Sequence, residues 1–208
     1  MKHVKAFGLV AVATAAAIVI GGSTASAADR LCESNTNPCT SPVAVNGIIK
    51  GEATDLLFTG PTETTCTSST MTMKVTKNDG STNPTGEVTA LSWTGCKDVT
   101  HFGIGCSYST QNLPFHFEIV TPGPNFTMRG HAGGGNPGWN IVCGGFISCT
   151  FQRVNFTLPI DVGSPASLTA NEVELEKVGG GGLCPEENFF DAKYALESPT
   201  SSLFVSSS

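Results

Sequence analysis

Histidines and carboxylates are the side chains of this chain that could carry acid–base or metal chemistry. No two of His101, His116 and His131 fall at the short spacing of a paired metal-ligand motif, so the sequence predicts no metal site. Glu118 and Glu174 lie in predicted strands and could form the carboxylate pair of a glycoside hydrolase only if the fold brings them together. Ordinary solvated strand faces are the favoured interpretation of both glutamates.

A glycine-rich stretch begins beside one of these histidines. His131–Gly135 is similar to the oxyanion loop of esterases, but the G-x-S-x-G nucleophile motif and the strand–helix alternation of that fold are absent from the sequence. We therefore predict that Gly130–Gly138 is a surface loop without catalytic function. His131 remains a candidate binding residue in that loop.

The cysteines predict a covalently braced protein and no thiol catalysis. An even number of cysteines in an exported chain is typical of disulfides, and this chain has eight, which predicts four bridges and no cofactor. Spacing along the chain favours disulfides between cysteines that are close in sequence. The favoured bridges are Cys143–Cys149 across the Gly144-Gly145 turn, Cys96–Cys106 and Cys32–Cys39, which leaves Cys66–Cys184.

The first 27 residues have the pattern of a cleaved signal peptide. Lys2 and Lys5 precede the apolar run Phe7–Ile20, and Ala25–Ala27 has the small residues of a signal-peptidase site. The apolar run has 14 residues, whereas a membrane-spanning helix needs roughly 20. We predict a secreted, extracellular protein that begins at Ala28 and has no membrane span after cleavage.

Composition excludes two classes of partner. Charged residues make up 13% of the chain, and loss of the two lysines of the signal would move the formal charge from −6 to −8. Nucleic acids and anionic lipid surfaces bind clusters of Lys and Arg, and this sequence has no such cluster. The remaining partner classes are an extracellular protein or a glycan.

The positions of the apolar residues predict strands throughout. Thr70–Thr76 and Phe115–Val120 alternate with period two, and no segment has apolar residues at helical spacing over a dozen positions. We predict an all-β, antiparallel β-sandwich or flattened barrel of about ten short strands, stapled by disulfides. Cys149–Ile160 is expected to be one long β segment, and a short helix is expected near Cys184–Asn188.

The predicted domain organisation is simple. Residues 1–27 form the signal peptide, residues 28–42 form a polar lead-in closed by Cys32–Cys39, and residues 43–208 form a single β-sandwich domain. A mature chain of 181 residues, the 208 of the sequence less the 27 of the signal, is within the usual size of one domain.

Several local motifs give the chain a resemblance to known proteins. Trp93-Thr94-Gly95-Cys96, the pair Cys143 and Cys149-Thr150-Phe151, and the late Cys184-Pro185 follow an Ala-rich export signal. With these motifs, most of the mature chain resembles a group of secreted, cysteine-containing proteins of high-GC Gram-positive bacteria. That group has no assigned activity, so the resemblance implies no functional residues.

The sequence favours a non-catalytic extracellular β-domain protein, either a cell-surface component or a binding module. Exposed aromatics would be its natural contact residues, with Trp139 beside the glycine loop, Trp93 and His131 as candidates. Two alternatives stay open. One is a secreted, carboxylate-based hydrolase of glycans, and the other is a surface protein that assembles through its strand edges.

Overall fold

A computed structural model describes residues 29–59, 63–100, 103–120, 124–198 and 202–207. The predicted signal peptide and His101 lie outside these residues. The described residues form fourteen β-strands and no α-helix. The strands are β1 (Asp29–Cys32), β2 (Ile48–Thr59), β3 (Thr64–Lys77), β4 (Thr85–Thr94), β5 (Lys97–Asp98), β6 (Ile104–Gln111), β7 (Phe115–Val120), β8 (Asn125–Gly130), β9 (Gly138–Cys143), β10 (Ile147–Gln152), β11 (Asn155–Asp161), β12 (Ser167–Gly180), β13 (Glu187–Ser198) and β14 (Phe204–Ser207).

The predicted all-β, antiparallel class is confirmed. Twelve strands form one sheet, and β1 pairs with β14 in a second sheet of two strands. Four long neighbouring strands, β3, β2, β13 and β12, form one wall of the molecule. Within the described part of the chain, no helix has the length and apolar composition that a membrane crossing requires.

The opposite wall is divided between the two ends of the long strands. At one end β4 pairs with β7, and β7, β8 and β11 lead round to the start of β12. At the other end β5 pairs with β6, and β6, β9 and β10 lead round to the end of β12. The sheet therefore closes on itself twice and is not a single simple barrel.

The alternating residues bury one side of each strand, as the sequence predicts. On β3 the buried side chains are Met71, Met73 and Val75, and on β7 they are Phe115 and Phe117. The polar residues that alternate with them along each strand point outward, because successive side chains leave a strand on opposite faces. This alternation places the histidine and glutamate of β7 on the outer surface.

An aromatic cluster fills the core between the walls. The ring of Phe58 stacks on those of Tyr108, with centroids 4.4 Å apart, and Phe190, at 4.9 Å. Trp139 packs edge-on against Phe190 at 5.5 Å. Tyr194 is also buried, and its hydroxyl lies 2.8 Å from the Ser69 hydroxyl, which satisfies the polar end of a buried ring.

Two details of secondary structure differ from the prediction. The expected long strand Cys149–Ile160 is two strands, because Arg153 leaves the sheet between β10 and β11 and its backbone N–H donates to the Pro137 carbonyl at 2.9 Å. The helix expected near Cys184–Asn188 is instead a turn that leads into β13.

Four disulfides are present, but only one has the predicted partners. Cys32–Cys39 is confirmed, whereas the predicted bridges Cys143–Cys149, Cys96–Cys106 and Cys66–Cys184 are wrong. The observed bridges are Cys32–Cys39, Cys66–Cys96, Cys106–Cys143 and Cys149–Cys184. No cysteine of the described residues is free.

Strand register explains why the observed disulfide partners differ from the predicted ones. Cys106 and Cys143 are direct partners across β6 and β9, with Cα atoms 4.1 Å apart. Because the pairing of the two strands already places them side by side, their sulfur atoms can bond. Cys149 lies opposite Ile141 in the β9–β10 hairpin, two positions along from Cys143. The Cys106–Cys143 bridge therefore follows the partner strand and not the nearest cysteine in sequence.

The bridge between β3 and the β4–β5 region follows the same rule. Ser68 pairs with Thr94 on β4, and Thr64 pairs with Asp98 on β5, so Cys66 faces Cys96 midway between these pairs. The Cα atoms of these two cysteines are 3.9 Å apart. The bridge thus joins the strands where β4 ends and β5 begins.

Candidate functional site

The outward face of β4, β7 and β8 carries a concentration of charged and polar side chains. On β7 the burial of Phe115, Phe117 and Ile119 turns His116 and Glu118 to the outside. The same alternation turns Glu87 outward on β4 and Arg129 outward on β8.

Strand register aligns three of these residues in one row. Glu87 is the direct partner of His116 across β4 and β7, and His116 is the direct partner of Arg129 across β7 and β8. Direct partners on one face of an antiparallel pair have Cβ atoms about 5 Å apart, so their side chains interact. A carboxylate, an imidazole and a guanidinium therefore lie side by side across three strands.

The glycine-rich loop brings a second histidine to this row. Just after β8, a turn closed by the Gly134 N–H and the His131 carbonyl at 2.8 Å orients the start of the loop. His131 Nδ1 lies 3.8 Å from Glu87 Oε1. At the far end of the loop, Asn112 Nδ2 donates to the Asn136 carbonyl at 2.8 Å. The predicted loop therefore contacts Glu87 of β4 at its start and Asn112, the residue after β6, at its far end.

A groove of about 340 Å³ lies between the loop and the sheet. Its walls are His116, Arg129, Gly130, His131 and Ala132. The three functional side chains in these walls are all nitrogen-bearing hydrogen-bond donors, and the arginine is permanently charged. The groove is thus suited to an anionic or acceptor-rich group.

The environment of His116 favours its neutral form. Partial burial is the main reason that the pKa of His116 is lowered from its ordinary value of 6.5, and the positive charge of Arg129 is the next. Glu118 and Glu87 act in the opposite direction but do not cancel these effects. Near neutral pH the imidazole therefore offers one donor and one acceptor. It gains a positive charge when it takes up a proton from acidic solvent, and a bound anion would favour that uptake.

Polar groups extend the face beyond the groove. Glu118 lies between Thr85 of β4 and Thr127 of β8 in the register of the sheet, and its Oε1 accepts a hydrogen bond from Asn83 Nδ2 at 2.9 Å. A carboxylate, an amide and hydroxyls thus adjoin the groove that Arg129 and the two histidines line. Ligands that combine an acidic group with several hydroxyls match this set of donors and acceptors.

The two tryptophans are not on this surface, which corrects the expectation that they are exposed. Trp139 is 1% exposed and Trp93 is 7% exposed, and their rings meet edge-on with centroids 5.5 Å apart. Trp139 alternates inward with Ile141 and Cys143 on β9, so the same pattern that builds the strand buries the indole. Neither ring is available to an external ligand.

The fold places the other candidate functional residues at different positions. His131 lies in the groove wall, and Glu118 lies on the adjoining face. Glu174 is on β12, which is not a neighbour of β7 in the sheet, and its carboxylate lies 3.9 Å from Arg153. Arg129 and Glu87 were not singled out from the sequence, because only strand register places them beside His116.

The fold and the groove together define an all-β, disulfide-bonded protein with a polar surface groove. Within the described ranges, no group of three or more His, Cys, Asp or Glu side chains is arranged to hold a metal ion. Comparison with protein-family models, curated proteins and solved structures found no match. The function is therefore inferred from the groove itself.

Proposed function

We propose that this protein is a secreted, non-catalytic binding module that recognises a glycan carrying a carboxylate group. The observation that carries the proposal is the convergence of His116, Arg129 and His131 on one open groove. An arginine binds a carboxylate through parallel N–H bonds, and a histidine adds a further donor. The groove volume of about 340 Å³ is near the lower end of small-molecule pockets, which run from about 300 to 1,000 Å³, and suits one sugar unit.

The surroundings of the groove favour a glycan over a protein partner. Protein interfaces generally depend on buried aromatic or aliphatic anchors, and the described residues that form the groove walls include no large apolar side chain. The face beside the groove instead presents Glu118, Asn83 and threonine hydroxyls. These groups match the hydroxyls of a sugar ring.

Secretion and a bacterial cell-surface setting are part of this proposal. The signal-like first 27 residues support it, and so do four disulfides, because such bonds form in oxidising compartments outside the cytosol. An acidic polysaccharide of such a compartment is the proposed ligand. A module with an arginine–histidine groove would hold the protein to such a polymer.

Binding to matched saccharides tests the proposal. Isothermal titration would compare a uronic-acid oligosaccharide with the same oligosaccharide whose carboxyl groups are reduced to hydroxymethyl groups. We expect saturable binding of the acidic form and binding at least tenfold weaker of the reduced form, because hydrogen bonds to charged groups contribute about 1.5–3 kcal/mol. Arg129→Ala should weaken binding of the acidic form by a similar factor.

A charge-matched variant controls for the loss of one positive charge. Lys193 is 66% exposed on β13 and contacts Asp161 at 3.6 Å, on another strand of the sheet. Lys193→Ala should leave the affinity unchanged. Equal affinities for the acidic and the reduced saccharide, or equal losses in the Arg129 and Lys193 variants, would refute a carboxylate-specific groove.

A carboxylate-based hydrolase is the second candidate, favoured by one specific observation. Glu87 and Glu118 lie on the same outward face as His116, so two carboxylates and an imidazole flank the groove. If the protein cleaves the acidic oligosaccharide, release of reducing ends should stop in both Glu87→Gln and Glu118→Gln. Binding without cleavage supports the non-catalytic module.

A further inference from the structure

Two exposed apolar side chains lie on neighbouring turns at the disulfide-rich end of the molecule. Phe146 lies in the turn between β9 and β10, and Leu183 lies in the turn between β12 and β13. Each of them has 72% of its surface exposed, the largest fraction among the large apolar residues of the described chain. Neither residue belongs to the walls of the groove, so these turns form a separate surface.

A disulfide holds the two turns side by side. Cys149 of β10 is bonded to Cys184, the residue that follows Leu183. Ile147, which follows Phe146, lines the same small cavity as Leu183. The two exposed side chains therefore project from one covalently braced end of the protein.

The segments that carry these side chains contain no charged residue and protrude from the sheet. Residues 144–147 read GGFI and residues 179–183 read GGGGL, and we call these two segments the apolar tip. Added Cβ atoms at Gly145, Gly181 and Gly182 would meet open space, so these parts of the turns stand clear of the rest of the described chain. Insertion of the apolar tip into an apolar medium would therefore bury no charge.

The turns also satisfy part of their own backbone hydrogen bonding. The Phe146 N–H donates to the Cys143 carbonyl at 3.3 Å, and the Cys184 N–H donates to the Gly181 carbonyl at 3.0 Å. Backbone groups without a partner are costly in a medium that lacks water, and these internal bonds reduce that cost. The apolar tip is therefore suited to contact with lipid.

We propose that the apolar tip inserts into the surface of a lipid bilayer with electrically neutral headgroups. A bilayer takes up protruding apolar side chains individually, in proportion to the apolar area that they bury. A stable interface with a second copy needs about 800 Å² and about 20–30 residues from each partner, which two side chains on glycine turns do not offer. Neutral headgroups are favoured because the tip has no Lys or Arg and the whole chain has a formal charge of −6.

Cosedimentation of the folded, disulfide-bonded protein with phosphatidylcholine vesicles tests this proposal. We expect the bound fraction to rise with lipid concentration to a plateau. The double variant Phe146→Ser, Leu183→Ser should bind at least tenfold more weakly, because full burial of one such side chain is worth about a factor of ten or more. As a matched control, Val154→Ser, Val162→Ser changes residues that are 62% and 43% exposed outside the tip, and it should leave binding unchanged.

A tryptophan placed at the tip reports insertion directly. The native Trp139 and Trp93 are 1% and 7% exposed, so the indole introduced by Phe146→Trp is the one that vesicles can reach. Its emission should shift to shorter wavelength when phosphatidylcholine vesicles are added, whereas the emission of Val154→Trp should not change.

Three results would overturn the proposal. The first is a wild type that does not sediment with phosphatidylcholine, and the second is a double variant that sediments as well as the wild type. The third is dimerisation that the double variant abolishes without any binding to vesicles, because the tip would then contact a second copy. Stronger binding when phosphatidylglycerol replaces part of the phosphatidylcholine would overturn the preference for neutral headgroups.

Discussion

His116 lies directly opposite Arg129 across the β7–β8 pair, and both side chains point away from the core. The guanidinium charge and partial burial together lower the pKa of the imidazole. In an unoccupied groove, a neutral histidine therefore adjoins a permanent cation. A bound carboxylate would neutralise the arginine and favour the protonated histidine, so this pair couples ligand binding to pH.

The pKa of His116 should rise when its charged neighbour is removed. In Arg129→Ala we expect the ¹H NMR titration of the His116 ring to move toward the ordinary histidine value of 6.5, because one of the two main causes of the lowering is gone. Thr127→Ala removes no charge and lies on the same face of β8, so it should leave the pKa of His116 unchanged. A His116 pKa that does not move in Arg129→Ala would contradict this account of the pair.

Stability should depend on pH through the same histidine. A folded-state pKa below the unfolded value means that the unfolded chain binds the proton more readily, so stability is lost as pH falls below about 6.5. His116→Gln removes this contribution. Between pH 7 and pH 5, urea unfolding should show a smaller loss of stability for His116→Gln than for the wild type. A larger loss in the variant would mean that the folded-state pKa is raised.

Affinity for an acidic saccharide should increase as pH falls from 7 to 5. Binding of a carboxylate favours protonated His116, so the complex takes up a proton that the free protein lacks. Titrations at several pH values should show this increase in the wild type and a flatter profile in His116→Gln. The same dependence of affinity on pH in the wild type and in His116→Gln would show that His116 takes no part in binding.

The disulfides should differ in what they contribute to stability. Loss of Cys106–Cys143, in a double alanine variant, should reduce the free energy of unfolding by about 4 kcal/mol, because it closes a separation of 37 residues. Cys32–Cys39 closes a separation of 7 residues, and its loss should cost about 2 kcal/mol on the same loop-entropy basis. Non-reducing peptide maps should link Cys106 to Cys143, and a Cys143–Cys149 peptide would contradict the register of β6 and β9.

Trp139 should behave as a core residue. Trp139→Ala should destabilise the protein by about 3–5 kcal/mol in denaturant unfolding, because a large buried side chain is removed. Phe146 is 72% exposed, and Phe146→Ala should change stability by less than about 0.5 kcal/mol. Acrylamide should quench tryptophan fluorescence weakly in the native protein. Strong quenching, or equal effects of the two substitutions, would place Trp139 at the surface.

Much of the sheet could be predicted from residue alternation. The predicted strand Phe115–Val120 coincides with β7, and Thr70–Thr76 lies within β3. The fourteen strands exceed the predicted number of about ten, in part because Arg153 divides the segment after Cys149. The predicted lead-in also contributes a strand, because β1 pairs with β14 and buries Leu31. Alternation shows which face of a strand is buried but not which strand lies beside it.

Both the disulfide partners and the candidate site depend on which strands are neighbours, which alternation does not show. Cys66 and Cys96 are 30 residues apart and meet because β3 pairs with β4 and β5. Arg129 reaches His116 in the same way, through the register of β7 and β8. Sequence spacing succeeded only for Cys32–Cys39, where the chain itself brings the two residues together.

The groove beside His131 is the proposed binding site of an acidic glycan. The most direct measurement is a ¹H–¹⁵N NMR titration of the folded protein with the uronic-acid oligosaccharide. We expect the shifted signals to come from His116, Arg129 and the Gly130–Ala132 segment of the groove wall. Shifts confined to another face, or no shifts at saccharide concentrations that saturate the calorimetric titration, would contradict this claim.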